Sequence, residues 1–160
     1  MSNSIIEKNY AFFEMYQSLR HQLMEILADE DLSFQPGGEN QKLGELCVEI
    51  GEIEQSYIDS FKTFTQNFTY RHAEAGMADS VARLTAWYEA LDRELKETIS
   101  SLSEETIQNR RIDRGGGFTP MPTIQLHIYQ EALLIFYGKV SVYLKAMGKP
   151  RPEQWVEWIG

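Results

Sequence analysis

Three side chains of the sequence are of types that could meet in one reactive site: Glu49, His127 and Glu131. His127 and Glu131 are four residues apart, so on an α-helix they share a face and can reach the same ion or proton. Glu49 lies in a different apolar segment and adds a second carboxylate. Two carboxylates and one imidazole predict a divalent metal site or general acid–base chemistry. On the alternative interpretation, both glutamates are surface or pocket-rim acids and His127 is an ordinary hydrogen-bonded histidine.

Aromatic residues offer a second kind of site, because the chain has eight Phe, eight Tyr and three Trp. At helical spacing such residues belong first to the core, but tyrosine hydroxyls between helices can also anchor a small ligand. We therefore predict a small-molecule pocket between the segments that carry Glu49 and His127. Its expected lining is Glu49, His127, Glu131 and Tyr57.

The elements that must position these residues are helices, because apolar residues recur every three or four positions along most of the chain. The pattern predicts four long helices and one extra turn that starts near Ser103. Asn40 is expected to cap the second helix and Asp79 or Ser80 the third. The long helices are predicted at about residues 5–28, 40–68, 80–99 and 122–147. No period-2 pattern indicates a strand, so the sequence predicts an all-α four-helix bundle that forms a single domain over residues 1–160.

The fourth predicted helix is apolar almost all round, which is unusual for a helix with one wet side. It must either lie centrally in the bundle or place its outer face against a partner chain, and the second alternative predicts a homodimer. Two tryptophans, Trp155 and Trp158, follow it within ten residues. They predict a short segment that docks on the bundle or on a neighbour.

Composition excludes several classes of partner. The chain of 160 residues has a formal net charge of −9, which argues against a nucleic-acid partner and an anionic membrane surface. The longest apolar run, 132–137, is far too short for a membrane span. The one cysteine, Cys47, excludes an internal disulfide and lies on an apolar stripe, where a thiol is a packing group. With no signal-peptide pattern at the start, the expected location is the cytoplasm.

Two stretches resemble one known family. Residues 42–50, with the sequence Lys-Leu-Gly-Glu-Leu-Cys-Val-Glu-Ile, resemble the (S/T)-(I/L)-G-E-L-x-x-H-I start of helix two in the DinB-like (DNA-damage-inducible) proteins. Residues 137–148 resemble the R-G-Q-(I/L)-x-x-Y-L-x-x-x-G end of their helix four. The resemblance implies an up-up-down-down helical bundle, commonly dimeric. It also implies one divalent metal, often nickel or zinc, held by one histidine on helix two and two histidines four apart on helix four.

The sequence departs from that family at the ligand positions. The helix-two histidine falls on Glu49 and, counted back from Gly138, the helix-four pair falls on Ala132 and Phe136. A frame anchored on Leu126-His127-Ile128 instead places the pair on Glu131 and Ile135. In both frames the last position is hydrocarbon, whereas a catalytic metal usually keeps three protein ligands. We therefore expect a degenerate metal site and no cofactor.

Two functions remain open at this point. The first is non-catalytic binding of a small ligand or a protein partner. The second is a metal-dependent thiol transferase or hydrolase-like enzyme, as the resemblance implies, in which Glu49, His127 and Glu131 rebuild a site for nickel or zinc. The family name suggests direct contact with DNA, but the acidity of the chain argues against it.

Overall fold

The computed structural model describes residues 2–160 and contains six α-helices within them. They are α1 (Ala11–Ile26), α2 (Leu43–Thr63), α3 (Val81–Ser100), α4 (Glu104–Asn109), α5 (Pro122–Met147) and α6 (Glu153–Trp158). A π-helical turn, Ile6–Tyr10, leads into α1, and 3-10 turns occupy Asp29–Ser33 and Met77–Asp79. Within residues 2–160 the only β-type pairing is one isolated bridge between Thr65 and Asp113. The all-α prediction is confirmed, with two short helices added to the four long ones.

Most helix ends follow from local chemistry. The Ser80 and Ser103 hydroxyls accept hydrogen bonds from backbone N–H groups in the first turns of α3 and α4, as the sequence predicts. Gly148 takes a left-handed φ of +68° and ends α5.

The bounds of α2 differ from the predicted ones. Asn40 does not cap α2. Its side-chain amide donates a hydrogen bond to the Gly37 carbonyl, and the helix begins three residues later. The Glu45 carboxylate instead accepts the backbone N–H of Lys42 at 2.9 Å. Phe64 adopts a left-handed φ of +59°, so α2 ends at Thr63 and not near residue 68.

The four long helices form a closed ring in which α1 and α2 each pack against both α3 and α5. Hydrogen bonds between neighbouring helices show in which direction each helix runs. Asn3, just before α1, donates to the Ile99 carbonyl at the end of α3, so α1 and α3 are antiparallel. Two α5 side chains show that α5 and α2 are also antiparallel: Gln125 donates to Ser60, and Tyr143 donates to the Gln41 carbonyl.

The order of directions is therefore up-down-down-up, which corrects the up-up-down-down order implied by the resemblance. The reason is the link between α2 and α3. It folds back along α2, where the His72 backbone N–H donates to Glu52 at 2.9 Å. It then reaches the first turn of α2, where Ala78 packs against Gly44. Helix α3 consequently starts beside the start of α2 and runs parallel to it.

The segment after α5 docks on the bundle itself. Trp155 of α6 is fully buried, and its indole N–H donates to the Leu19 carbonyl of α1 at 2.9 Å. The Trp158 ring lies 5.4 Å from the Tyr16 ring. Helix α5 packs on α1 and α2, and its outer face exposes Ile135 (61%) and Val142 (60%) next to the exposed Glu131 and Lys139. Among residues 2–160, no helix combines the length and apolarity needed to cross a membrane.

We predict that Gly44→Ala destabilises the protein, because a methyl group there would overlap the Ala78 carbonyl oxygen. Backbone on both sides of the contact leaves little room to relax, so we expect a loss of about 1–3 kcal/mol in the free energy of unfolding. Urea denaturation measures it. The control is Gly138→Ala in α5, where the new methyl group meets no atom within 4 Å. Equal stability of the two variants would contradict the close packing of the link on α2.

Candidate functional site

A cleft between α2 and α5 brings the predicted ligand positions together. Its volume is about 170 Å³. The side chains that line it are Leu46, Glu49, Ile50, Ile53, Ala132, Ile135, Phe136 and Lys139. Because α2 and α5 are antiparallel, the middle turns of the two helices face each other here. Glu49, Ala132 and Phe136, the ligand positions in the frame counted from Gly138, thus share one cavity, which we call the α2–α5 cleft.

The cleft is hydrocarbon except for two charged groups on opposite helices. Glu49 is half-buried, and one of its carboxylate oxygens accepts a hydrogen bond from the Gln41 side-chain amide at 2.7 Å. Lys139 is exposed at the other wall. Glu49 also borders two wider surface grooves, one of about 470 Å³ towards Arg71 and one of about 390 Å³ towards Tyr143. The carboxylate therefore stands where three concave surfaces meet.

The structure does not bring the other predicted site residues to this cleft. His127 and Glu131 are exposed on α5, outside the lining of the α2–α5 cleft. Of the second frame, Ile135 lines the cleft and Glu131 does not. Within residues 2–160, no three His, Cys, Asp or Glu side chains are grouped so that they could hold a metal ion. One carboxylate among hydrocarbon groups does not fit the divalent ion that the resemblance implies, since such ions take three or four donors.

Tyr57, the remaining predicted pocket residue, belongs to the core. Its ring lies 4.9 Å from that of Tyr129, and its hydroxyl accepts a hydrogen bond from Arg114 at 3.4 Å. Burial raises the pKa of Tyr57, and Arg114 opposes that rise. Tyr57 thus contributes to packing between α2 and α5 and not to the lining of the cleft.

A second cluster of chemistry-bearing groups lies inside the bundle, and the sequence analysis missed it. Arg20 of α1 is fully buried and contacts Glu54 of α2 at 2.6 Å and Asp92 of α3 at 2.7 Å. Its guanidinium also stacks over the Tyr88 ring, 4.0 Å from the centroid. We call Arg20, Glu54 and Asp92 the buried ion cluster. It joins three helices at one point.

The two carboxylates of the buried ion cluster differ in their environments. Glu54 is fully buried, and burial raises its pKa to about 8, while Arg20 opposes that rise. Asp92 is partly exposed at 18% and also contacts His21 Nε2 at 2.7 Å. Burial raises the pKa of Asp92, but Arg20 and His21 outweigh burial and hold it below its ordinary value. The cluster therefore has one carboxylate that favours the proton and one that favours the charge.

A sequence signal for the buried ion cluster does exist. Gln17, Arg20 and Met24 follow Phe13 at helical spacing, so these positions share a buried face of α1. The charge of Arg20 taken alone favours the polar face of α1, whereas its spacing from Phe13 and Gln17 places it on the buried one. Cys47 is buried as predicted, and burial raises its thiol pKa to about 12, which is typical of a packing group.

Comparison with known proteins supplies a family. The sequence profile of the DinB family matches residues 1–157 of the chain. The crystal structure of a DinB-like protein from Bacillus subtilis matches with a TM-score of 0.68, over 88% of this chain and 92% of that one, at 18% sequence identity. At this identity the likeness establishes the fold alone. No curated protein matches the sequence significantly.

We predict that stability falls as the pH rises from about 5 to 8. The folded state holds a proton on Glu54 up to about pH 8, whereas an unshifted glutamate releases it near pH 4.5. The stabilisation from this protonated carboxyl is complete below the lower value and is lost as the pH rises through the higher one. Urea denaturation across this range measures the fall.

The variant Glu54→Gln should lose most of that pH dependence, because the amide stays neutral throughout. Glu97→Gln, at an exposed position of α3, is the matched control and should keep it. A fall of equal steepness in Glu54→Gln would show that Glu54 does not titrate in this range.

Proposed function

The chain belongs to the DinB family, and we propose that it is a member with a degenerate metal site, whose α2–α5 cleft binds a small organic molecule without catalysis. One observation carries the proposal. In the frame counted from Gly138, the family's helix-four ligand positions fall on Ala132 and Phe136, and both line the cleft beside Glu49. Phe136 is only 3% exposed, so its ring fills the space where a ligating side chain would have to stand.

Binding is favoured because of the shape and polarity of this cleft. Small-molecule sites are typically concave and mostly apolar, with a few polar groups that fix orientation. The α2–α5 cleft has this composition, with Glu49 and Lys139 as its polar groups. The alternative, a thiol transferase or hydrolase-like enzyme, needs His127 and Glu131 beside Glu49. Both are exposed outside the cleft lining, so the geometry supports binding better.

The proposal extends to a cytoplasmic homodimer. Outside the cleft lining, the exposed face of α5 carries Ile124 and Val142, which are 45% and 60% exposed. Large side chains of this kind along one helix favour contact with an apolar surface, and a second copy provides the same face. The single buried cysteine and the acidic charge support a reducing, non-membrane environment.

We predict that the purified protein holds no stoichiometric zinc or nickel, and that Ala132→His together with Phe136→His creates a zinc site. Two histidines four apart and the Glu49 carboxylate form a His₂Glu set, which is a known zinc ligand set. Elemental analysis of the wild type and zinc titration of the double variant measure the two outcomes.

The control for this experiment is Glu131→His with Ile135→His, the corresponding pair in the other frame. It has the same spacing, but only position 135 lines the cleft, so it should gain little zinc affinity. Tightly held, stoichiometric metal in the wild type would overturn the proposal and favour the enzyme.

We predict a dimer in sedimentation velocity at micromolar concentration and its loss in Val142→Lys. One buried, unpaired ammonium group on each chain is costly in an apolar interface, so a single substitution should be enough to prevent dimerisation. Phe118→Lys, at an equally exposed apolar position in the loop before α5, is the control and should remain dimeric. A monomeric wild type would refute the homodimer.

A further inference from the structure

The two charges of the α2–α5 cleft are both free to meet a ligand. Among residues 2–160, no ion pair within 4 Å involves Glu49 or Lys139. The hydrogen bond from Gln41 uses one oxygen of Glu49. The carboxylate stands on α2 and the ammonium on α5, so the charges come from opposite walls of one apolar cleft.

The size of the cleft limits the apolar part of its ligand. A dry apolar cavity of about 150 Å³ is known to hold benzene. The α2–α5 cleft, at about 170 Å³, therefore suits one hydrocarbon group of similar size. Its apolar lining includes branched side chains of Leu46, Ile50 and Ile53 on α2 and the Phe136 ring on α5. A larger, drug-sized molecule would need a cavity of roughly 300 Å³ or more.

The geometry points to an apolar α-amino acid, of the leucine or phenylalanine class, as the ligand of the α2–α5 cleft; this inference rests on the proposed binding function. Glu49 would accept hydrogen bonds from the α-ammonium group, and Lys139 would donate to the α-carboxylate. The side chain would enter the hydrocarbon part of the cleft. A ligand that carries both charged groups and one apolar group on the same carbon atom satisfies every feature of the lining at once.

The test is a titration of the protein with L-leucine and with L-phenylalanine, monitored by two-dimensional amide NMR. Each is compared with a probe that lacks one charge, 3-methylbutylamine or 4-methylpentanoate, and with benzene, which lacks both. We expect the amino acids to shift signals from residues of the cleft. Each singly charged probe should bind at least about tenfold more weakly, since one charge-assisted hydrogen bond is lost.

Variants of Glu49 and Lys139 test which charged group of the ligand each residue contacts. Glu49→Gln should weaken the binding of leucine and 3-methylbutylamine but not that of 4-methylpentanoate. Lys139→Met should weaken the binding of leucine and 4-methylpentanoate but not that of 3-methylbutylamine. Glu131→Gln and Lys145→Met, at exposed positions of α5 outside the cleft, are matched controls.

The outcomes separate this inference from the proposed function. If a singly charged probe or benzene binds the cleft as well as leucine, the amino-acid inference is overturned and the binding function stands. If no probe, benzene included, shifts the cleft signals, both are overturned. Tight binding of leucine that is unchanged in Glu49→Gln and Lys139→Met would overturn the inference as well.

Discussion

The contact between Arg20 and Glu54 is the constraint on which the rest of the bundle depends. Both side chains are fully excluded from water, and each would be costly to bury alone. Asp92 shares the guanidinium and reaches the surface, so α1, α2 and α3 must meet in one register for all three groups to be paired. An apolar contact could slide by a turn at small cost, whereas a buried charge that loses its partner cannot. Ile50 and Ile53, which line the α2–α5 cleft, lie within four residues of Glu54 on α2, so this register also positions that wall of the cleft.

The sequence was sufficient for the features that depend on local chemistry. Periodicity placed the four long helices because each buries an apolar stripe, and Ser80, Ser103 and Gly148 end or begin helices through hydrogen bonds and backbone conformations that are local to them. The end of α2 was misjudged, because the stripe continues to Phe64 and Phe68 while the backbone turns at Phe64. Helix directions were also misjudged. They are decided by the path of residues 64–80 back along α2, and that path depends on contacts such as Ala78 against Gly44, which no local pattern contains.

In the candidate site, too, some features follow from local sequence and others depend on contacts between helices. The family motif, counted from Gly138, predicts ligand positions at Glu49, Ala132 and Phe136, and these three residues line one cleft. Of the alternative pair, Glu131 and Ile135, only Ile135 lines it. The four-residue spacing of His127 and Glu131 places them on one face of α5. Spacing alone does not show whether that face points into the bundle or into solvent, and both residues are exposed. The buried ion cluster is hard to predict because a charged side chain, considered on its own helix, indicates an exposed position. A charged residue at the spacing of a buried stripe is better interpreted as half of a pair whose partner lies on another helix.

The docking of α6 on α1 has a consequence for how the molecule is made. Leu19 and Tyr16 of α1 find their partners in Trp155 and Trp158, more than 130 residues later in the chain. During synthesis on the ribosome, one side of α1 must therefore wait with its apolar surface uncovered until α5 and α6 have emerged. Contacts so distant in sequence slow the final stage of folding. The long helix that is made first is therefore one of the last to be fully covered.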